Sequence, residues 1–367
     1  MWYKISNESS VYTPAILVYP DRVEENIRRM IAIAGDASRL RPHVKTHKLA
    51  EVVQLQVQHG IKKFKCATLI EVEMVAENGG EDILLSYPLY GPGICHFFDL
   101  KEKYPNVCFA LTVDSENACY ELIGEAEIKK SDLDVFVDID NGMHRTGIEP
   151  KNATELVQFI LANKSLNFRG FHIYDGHIHD RDPEVRRSRC KKDFESVEKL
   201  VSEIEYKGME VGELACGGTF SFPIHAKYAS RTLCPGTPLL WDAGYEQNIP
   251  ELDFMQAAVL IGRVVSKPQE SLCLDLGYKA LASEMSHPRL KFLNIEFKEV
   301  INHSEEHLVI SPTGKNILDE GEMVYALPYH ICPTMALHEQ VYVVENNKAT
   351  DIWKVVGRKR IYQIKQE

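Results

Sequence analysis

From residue 40 to residue 235 the chain repeats one pattern, a short apolar run followed by a longer amphipathic stretch. Eight such runs read as strands: residues 40–45, 64–68, 82–86, 107–113, 133–139, 168–174, 213–216 and 232–235. Helical patterns separate most of them. Leu49, Val52, Val53 and Gln56 mark one face in 48–58, and Leu156, Val157, Ile160 and Leu161 mark another in 153–162. A longer charged stretch, 186–207, also has helical spacing. Strands alternating with helices demand a parallel sheet with crossover connections. Eight units fit a closed (β/α)8 barrel, an α/β fold. A doubly wound open sheet is the alternative. No glycine-rich dinucleotide turn follows the first strand, which favours the barrel. Ahead of it lie the run AILVY and a helix from about Asp21, whose Val23, Ile27, Met30, Ile31 and Ala34 share one face.

From about Asp253 the texture changes. Seven short β-like runs succeed one another, the last being KVVGRKRIYQ, with turn residues between them and no long helix. The expected organisation is a barrel over residues 15–250, then a mainly antiparallel β domain over 251–367 that residues 1–14 could join. The net charge of −11 argues against nucleic-acid binding, which needs a basic face. One basic cluster, from Arg186 to Lys192, is followed by Asp193, Glu195 and Glu198 and reads as a solvated helix face. No apolar run approaches the ~20 residues of a membrane span, and the first residues have no apolar signal core. Nine cysteines without a paired spacing favour a reducing cytoplasm.

Five places could carry chemistry. In Arg41-Pro42-His43-Val44-Lys45, strand alternation puts Arg41, His43 and Lys45 on one face. Lys45 then stands at the C-terminal end of the first barrel strand, where barrel sites lie. It reads as a surface lysine or as one losing hydration in a cavity, which favours the neutral amine that forms Schiff bases. Gly217-Gly218-Thr219 and Pro235-Gly236-Thr237 follow the seventh and eighth strands. They are either plain turns or the frequent phosphate site of this barrel. Arg145, in the loop after the fifth strand, could meet a cofactor oxygen or pair with Asp138 or Asp140. Tyr174, His177 and His179 crowd the end of the sixth strand; Tyr174 could pack on a flat ring, and the histidines could share a metal. Read as a strand, 328–334 points His330 and Cys332 the same way, a pair suited to Zn²⁺ if the site has open positions.

In combination, RPHVKTHK, the loop DNGMHRTG, the two Gly-Thr turns and the late His-x-Cys resemble the D-threonine aldolase/D-serine dehydratase family. The resemblance spans nearly the whole chain. It implies an alanine-racemase-like barrel, a C-terminal β domain, pyridoxal 5'-phosphate and a homodimer. It makes Lys45 the Schiff-base lysine and Arg145 a ligand on the ring side of the cofactor. Tyr174 would contact the ring, and Gly218, Thr219, Gly236 and Thr237 would hold the phosphate. His330 and Cys332 would bind a divalent metal, Zn or Mn. Cys332 leans toward the dehydratases, whereas Tyr174, with His179 as a base, leans toward the aldolases. The expected activity is retro-aldol cleavage of a D-β-hydroxy-α-amino acid to glycine and an aldehyde. β-Elimination to a 2-oxo acid and ammonia, or racemisation, are the alternatives.

Overall fold

The computed structural model describes residues 1–314 and 318–361. They divide into two compact units. One is built mainly from Met30–Lys45 and Val53–Gly236, the other from Met1–Arg29, Thr46–Val52 and Thr237–Lys359. The first strand of the chain, β1 (Ala15–Val18), lies in the latter.

The former unit carries a parallel sheet of β2 (Lys63–Cys66), β3 (Asp82–Leu85), β4 (Cys108–Val113), β5 (Leu133–Ile139), β6 (Leu166–Ile173), β7 (Glu213–Cys216) and β8 (Arg231–Leu233), adjacent in chain order. Helices stand between successive strands, and polar caps fix where they begin. Thr68 accepts the Glu71 N–H before Leu69–Glu77, Ser115 that of Ala118, and Asp182 those of Glu184 and Val185.

The expected first strand is present in reduced form. Arg41 N–H donates to Leu233 O (2.8 Å) and His43 N–H to Pro235 O (2.8 Å). On the other side, Pro42 O accepts from Lys65 N–H (2.9 Å) and Val44 N–H donates to Lys65 O (3.0 Å). Hydrogen bonding therefore runs from β8 through this segment to β2 and closes the ring. Pro42 has no N–H to donate, so pairing shrinks to two bridges, Leu40 with Leu233 and His43 with Lys65.

Leu84, Ala110, Phe136, Ala215 and Cys234 fill the interior. At the N-terminal strand ends, Arg41 is fully buried. Its guanidinium donates to both oxygens of Asp82 (2.8 and 3.0 Å) and both of Glu213 (2.9 and 3.0 Å).

The other unit holds β9 (Ala258–Ser266), β10 (Leu272–Leu274), β11 (Leu290–Phe292), β12 (Glu296–His303), β13 (Leu308–Thr313), β14 (Met323–Pro328), β15 (Gln340–Glu345) and β16 (Lys348–Lys354). Pairing runs β12-β13-β10-β9-β1-β15-β16, and β14 joins β9 to β11. All these pairs are antiparallel except β1 with β15. Tyr3, Ile5 and Val11 enter its core beside Leu17, Ile261 and Tyr325.

The last expected run is displaced. The strand is Lys348–Lys354, an exposed edge whose polar residues hide the period, and Val356–Arg358 is a 3-10 turn. Residues 362–367, the end of that run and of the expected β domain, lie outside the described residues. Among the described residues no helix is long and apolar enough to cross a membrane.

Candidate functional site

At the C-terminal ends of the parallel strands, a cavity of about 350 Å³ is lined by His43, Lys45, Lys65, Arg145, His172 and Tyr174, with Ser86, Tyr87 and Pro88 of the turn after β3. Three cations surround one ring. Lys45 Nζ is 5.5 Å from the Tyr174 ring centre, Lys65 Nζ 5.4 Å and Arg145 Cζ 5.0 Å. Two glycines leave room for that ring. A Cβ on Gly176 would come within 2.4 Å of it, and one on Gly218 within 3.0 Å. Arg145 thus faces Tyr174, while Asp138 and Asp140 are engaged elsewhere. Asp140 accepts from His144 (2.8 Å), and Asp138 accepts from the Thr146 hydroxyl (2.8 Å).

Sequence reasoning missed the polar chain beneath this ring. His172 Nδ1 meets Asp138 Oδ1 at 2.6 Å, and its Nε2 faces Lys65 Nζ at 3.4 Å. All three side chains are buried. Burial holds the His172 pKa down, Lys65 and Arg145 add to that, and Asp138 opposes it. The imidazole is therefore neutral, with its proton toward Asp138 and its lone pair toward Lys65.

The glycine turn after β7 is tied to a second buried network. Gly217 has φ +75°, and a Cβ there would sit 2.7 Å from both Ser221 Oγ and His225 Cδ2. Gly218 N–H donates to Ser221 Oγ (3.2 Å), and Ser221 donates to Asp175 Oδ1 (2.6 Å). Asp175 Oδ2 meets His225 Nε2 at 2.8 Å, with Cys190 Sγ 3.8 Å from the same oxygen. Thr219 is buried, and its hydroxyl accepts Gly236 N–H at 3.3 Å.

Asp175, Cys190 and His225 converge closely enough for a metal, but their chemistry opposes one. Arg231 Nη1 donates to His225 Nδ1 (2.9 Å), so the imidazole proton sits on Nε2, where a metal would need the lone pair. Burial, followed by Asp175, pushes the Cys190 thiol up to about 12, whereas a ligand must be thiolate.

The second candidate group lies in the other unit. 330–332 is not strand. β14 ends at Pro328, His330 is the N-cap residue of the helix Ile331–Leu337, and Cys332 is in its first turn. Pro333 explains the change, since it is tolerated in a first helical turn but not inside a ladder. The two side chains still interact electrostatically. Cys332 Sγ is also 3.2 Å from Thr46 Oγ1 and 3.8 Å from Thr237 Oγ1. His330 Nδ1 pairs with Glu284 at 2.6 Å, a carboxylate the sequence did not single out. Burial acts to lower the His330 pKa, but the Cys332 sulfur, Glu284 and Asp242 outweigh it and raise it to about 9. His47, in the same unit, is fully buried, and burial with the Lys48 charge lowers its pKa to about 3.

Two expected residues stand apart from both groups. His177 pairs with Asp193 (2.9 Å). His179 is exposed, lies beside the Phe220 ring and does not line the cavity, so the two histidines do not converge. In the basic cluster Arg187 and Arg189 are exposed, but Arg186 is buried and donates to the carbonyls of Asp180 (2.6 Å) and Arg181 (3.3 Å).

Residues 18–240 match the family described as "Alanine racemase, N-terminal domain". The chain belongs to this alanine racemase family. Residues 257–344 of this alanine-racemase-like chain match a second description, "Putative serine dehydratase domain". The chain is 26% identical to a 3-hydroxy-D-aspartate aldolase of Paracoccus denitrificans, over 97% of this chain and 94% of that one. It is 24% identical to a D-serine dehydratase of Dictyostelium discoideum, over 92% and 95%. A solved D-threonine aldolase from Filomicrobium marinum superposes with a TM-score of 0.86 at 25% identity, covering 97% of this chain and 98% of that one. The alanine-racemase-like fold expected from the sequence is thus present, and the family resemblance holds.

Proposed function

We propose that this chain is a pyridoxal-phosphate-dependent lyase of D-β-hydroxy-α-amino acids, of D-threonine aldolase type. The observation that carries the reading is the set of three cations, Lys45 among them, around the Tyr174 ring. Like charges gathered in one cavity call for an anionic occupant, and the aromatic face calls for a flat one. The turn at Gly217 and Gly218 packs too tightly for a Cβ and, with Thr219, follows β7 at the strand ends, where turn N–H and hydroxyl groups of this kind of barrel hold a phosphate. The residues fit the cofactor.

When bound, that cofactor withdraws electrons from Cα of an amino acid. Lys45 supplies the amine that holds it and, in an elimination, takes the Cα proton. Arg145 would face its ring oxygen, with Tyr174 against its face. Gly218, Thr219, Gly236 and Thr237 would take its phosphate. A divalent metal, Zn or Mn, would sit on His330 and Cys332, with Glu284 orienting the imidazole from behind. Such a metal lowers the pKa of a coordinated hydroxyl. His179 lies outside the cavity, so the role of base is not carried forward for it. A homodimer belongs to the same reading and is checked by light scattering.

The aldolase names among the relatives favour carbon–carbon cleavage. Cys332 favours the second reading, β-elimination. Product analysis with D-threonine and D-serine, with and without chelator, decides between them. Glycine and acetaldehyde from D-threonine are expected, lost with chelator and restored by metal. A 2-oxo acid and ammonia would establish the second reading. Neither set of products from either substrate would sink both.

A further inference from the structure

We infer that Lys65 is a carboxylate-binding residue of the cavity, poised for an anionic group of the substrate. The inference rests on the lyase reading for the identity of that substrate. Lys65 is 1% exposed. Its Nζ faces His172 Nε2 and the Tyr174 ring, and among the described residues it has no ion pair with a carboxylate. A lysine this buried is almost always paired. Arg41, buried at the opposite strand ends, has four carboxylate oxygens around it. The same barrel therefore neutralises one interior cation completely and leaves the other open toward a cavity.

The surroundings of Lys65 direct its charge without cancelling it. His172 is neutral and offers only a lone pair. Asp138 stands one residue further back, committed to His172 and Thr146. An ammonium anchored from behind in this way keeps its remaining N–H donors for a ligand. The cofactor anions have other partners in the proposed reading, the glycine turns for phosphate and Arg145 for the ring oxygen. The anion left for Lys65 is a carboxylate of the amino acid. Two carboxylates could supply it: the one on Cα, shared by all amino acids, or a second one on the side chain.

The test uses D-alanine and D-aspartate, which lack the β-hydroxyl and carry one and two carboxylates. Their affinities for the purified protein are measured by titration calorimetry, and the visible absorbance of lysine-bound cofactor is recorded in parallel. Lys65→Met, which removes a buried charge and keeps the volume, is expected to weaken D-aspartate by at least about thirtyfold, as loss of one partner of a buried charge pair does. Lys65→Arg is expected to retain most of the affinity. If D-alanine weakens equally, Lys65 holds the Cα carboxylate. If D-alanine is unchanged, it holds the side-chain carboxylate and the substrate is a dicarboxylate. A change of less than about twofold for both ligands, or no binding of either by the unaltered protein, overturns the proposal. A protein with no visible band whose D-aspartate binding still depends on Lys65 would refute the lyase reading and leave the subsite standing.

Discussion

Replacing Arg41 by methionine tests the account of the barrel where it makes the largest demand. Arg41 is fully buried and holds Asp82 and Glu213 with two hydrogen bonds each. Removing one partner of a buried charge set costs about 3–5 kcal/mol, because the others stay behind unpaired. Here the carboxylates are not wholly abandoned. Asp82 keeps Arg169 at 3.1 Å and Glu213 keeps Lys63 at 3.0 Å. The expected loss is therefore at the lower end, ~3 kcal/mol, or roughly 6–12 °C in Tm for a unit of this size. The pH dependence follows from the same contacts. Burial acts to raise the pKa of Asp82 and of Glu213, but the Arg41 charge and hydrogen bonds outweigh it and hold both down. A folded pKa below the unfolded one contributes stability that is present above ~4 and lost as pH falls further. Without Arg41, burial prevails and the folded values rise above ~4. The variant then gains stability as pH falls through that window, and the difference in Tm narrows. Circular dichroism melts at pH 7.5, 6.0, 5.0 and 4.5 measure it. A loss below about 2 °C at pH 7.5, or a difference that does not change with pH, refutes the reasoning. Adding Asp82→Asn and Glu213→Gln to the variant should recover part of the loss.

Three further outcomes are expected. Lys45→Ala removes the visible absorbance of lysine-bound cofactor; a band that survives desalting would assign the Schiff base elsewhere. Cys332→Ala lowers the divalent metal retained by the protein, measured by elemental analysis. Equal metal in the variant means that the ligands lie at other residues. Gly217→Ala places a Cβ 2.7 Å from Ser221 Oγ and His225 Cδ2 at φ +75°, a strain of about 1–3 kcal/mol. It should weaken pyridoxal phosphate more than pyridoxal, and equal weakening would remove the turn from the phosphate site.

How far the site could be read from the chain depended on whether its partners were neighbours in sequence or across the ring. Alternation alone gave the shared face of Arg41, His43 and Lys45, because a strand has period two. The Gly-Thr turns were visible as strand ends. Lys65 was not, because Lys62-Lys63-Phe64-Lys65 reads as a solvated basic stretch until β2 is known to point it inward. His172 looked like one polar residue in an apolar run. Its partner Asp138 lies 34 residues earlier, on the adjacent strand. For Arg145 the sequence offered a cofactor oxygen or pairing with Asp138 or Asp140; those carboxylates are engaged elsewhere, and Arg145 faces Tyr174. At His330 and Cys332 the expected strand is a helix start, since Pro333, directly after Cys332, is tolerated in a first helical turn but not inside a ladder.

Arg41 and Lys45 bring the two ends of the barrel together. They stand four positions apart in the chain, or about 13 Å at ~3.3 Å per residue. Nothing in their own segment says that one is neutralised and the other stands in a cavity. That difference comes from residues 41 and 172 positions away, Asp82 and Glu213, which begin their strands and so meet Arg41 at the N-terminal rim. At the other rim Ala67, Arg145 and Tyr174 line the cavity, and the nearby carboxylates of Asp138 and Asp175 are committed to His172 with Thr146 and to His225 with Ser221. Charge is thus sorted along the barrel axis by what the acidic residues bind: at the strand starts Asp82 and Glu213 close on Arg41, and at the strand ends Asp138 and Asp175 are held by histidines and hydroxyls, which leaves the cavity cations to a ligand. Moving one carboxylate to the far rim, as in Ala67→Asp, should therefore pair with the cavity cations and abolish anion binding while leaving Tm nearly unchanged. Retention of D-aspartate affinity by that variant would show that the cavity charge is not what recruits the ligand.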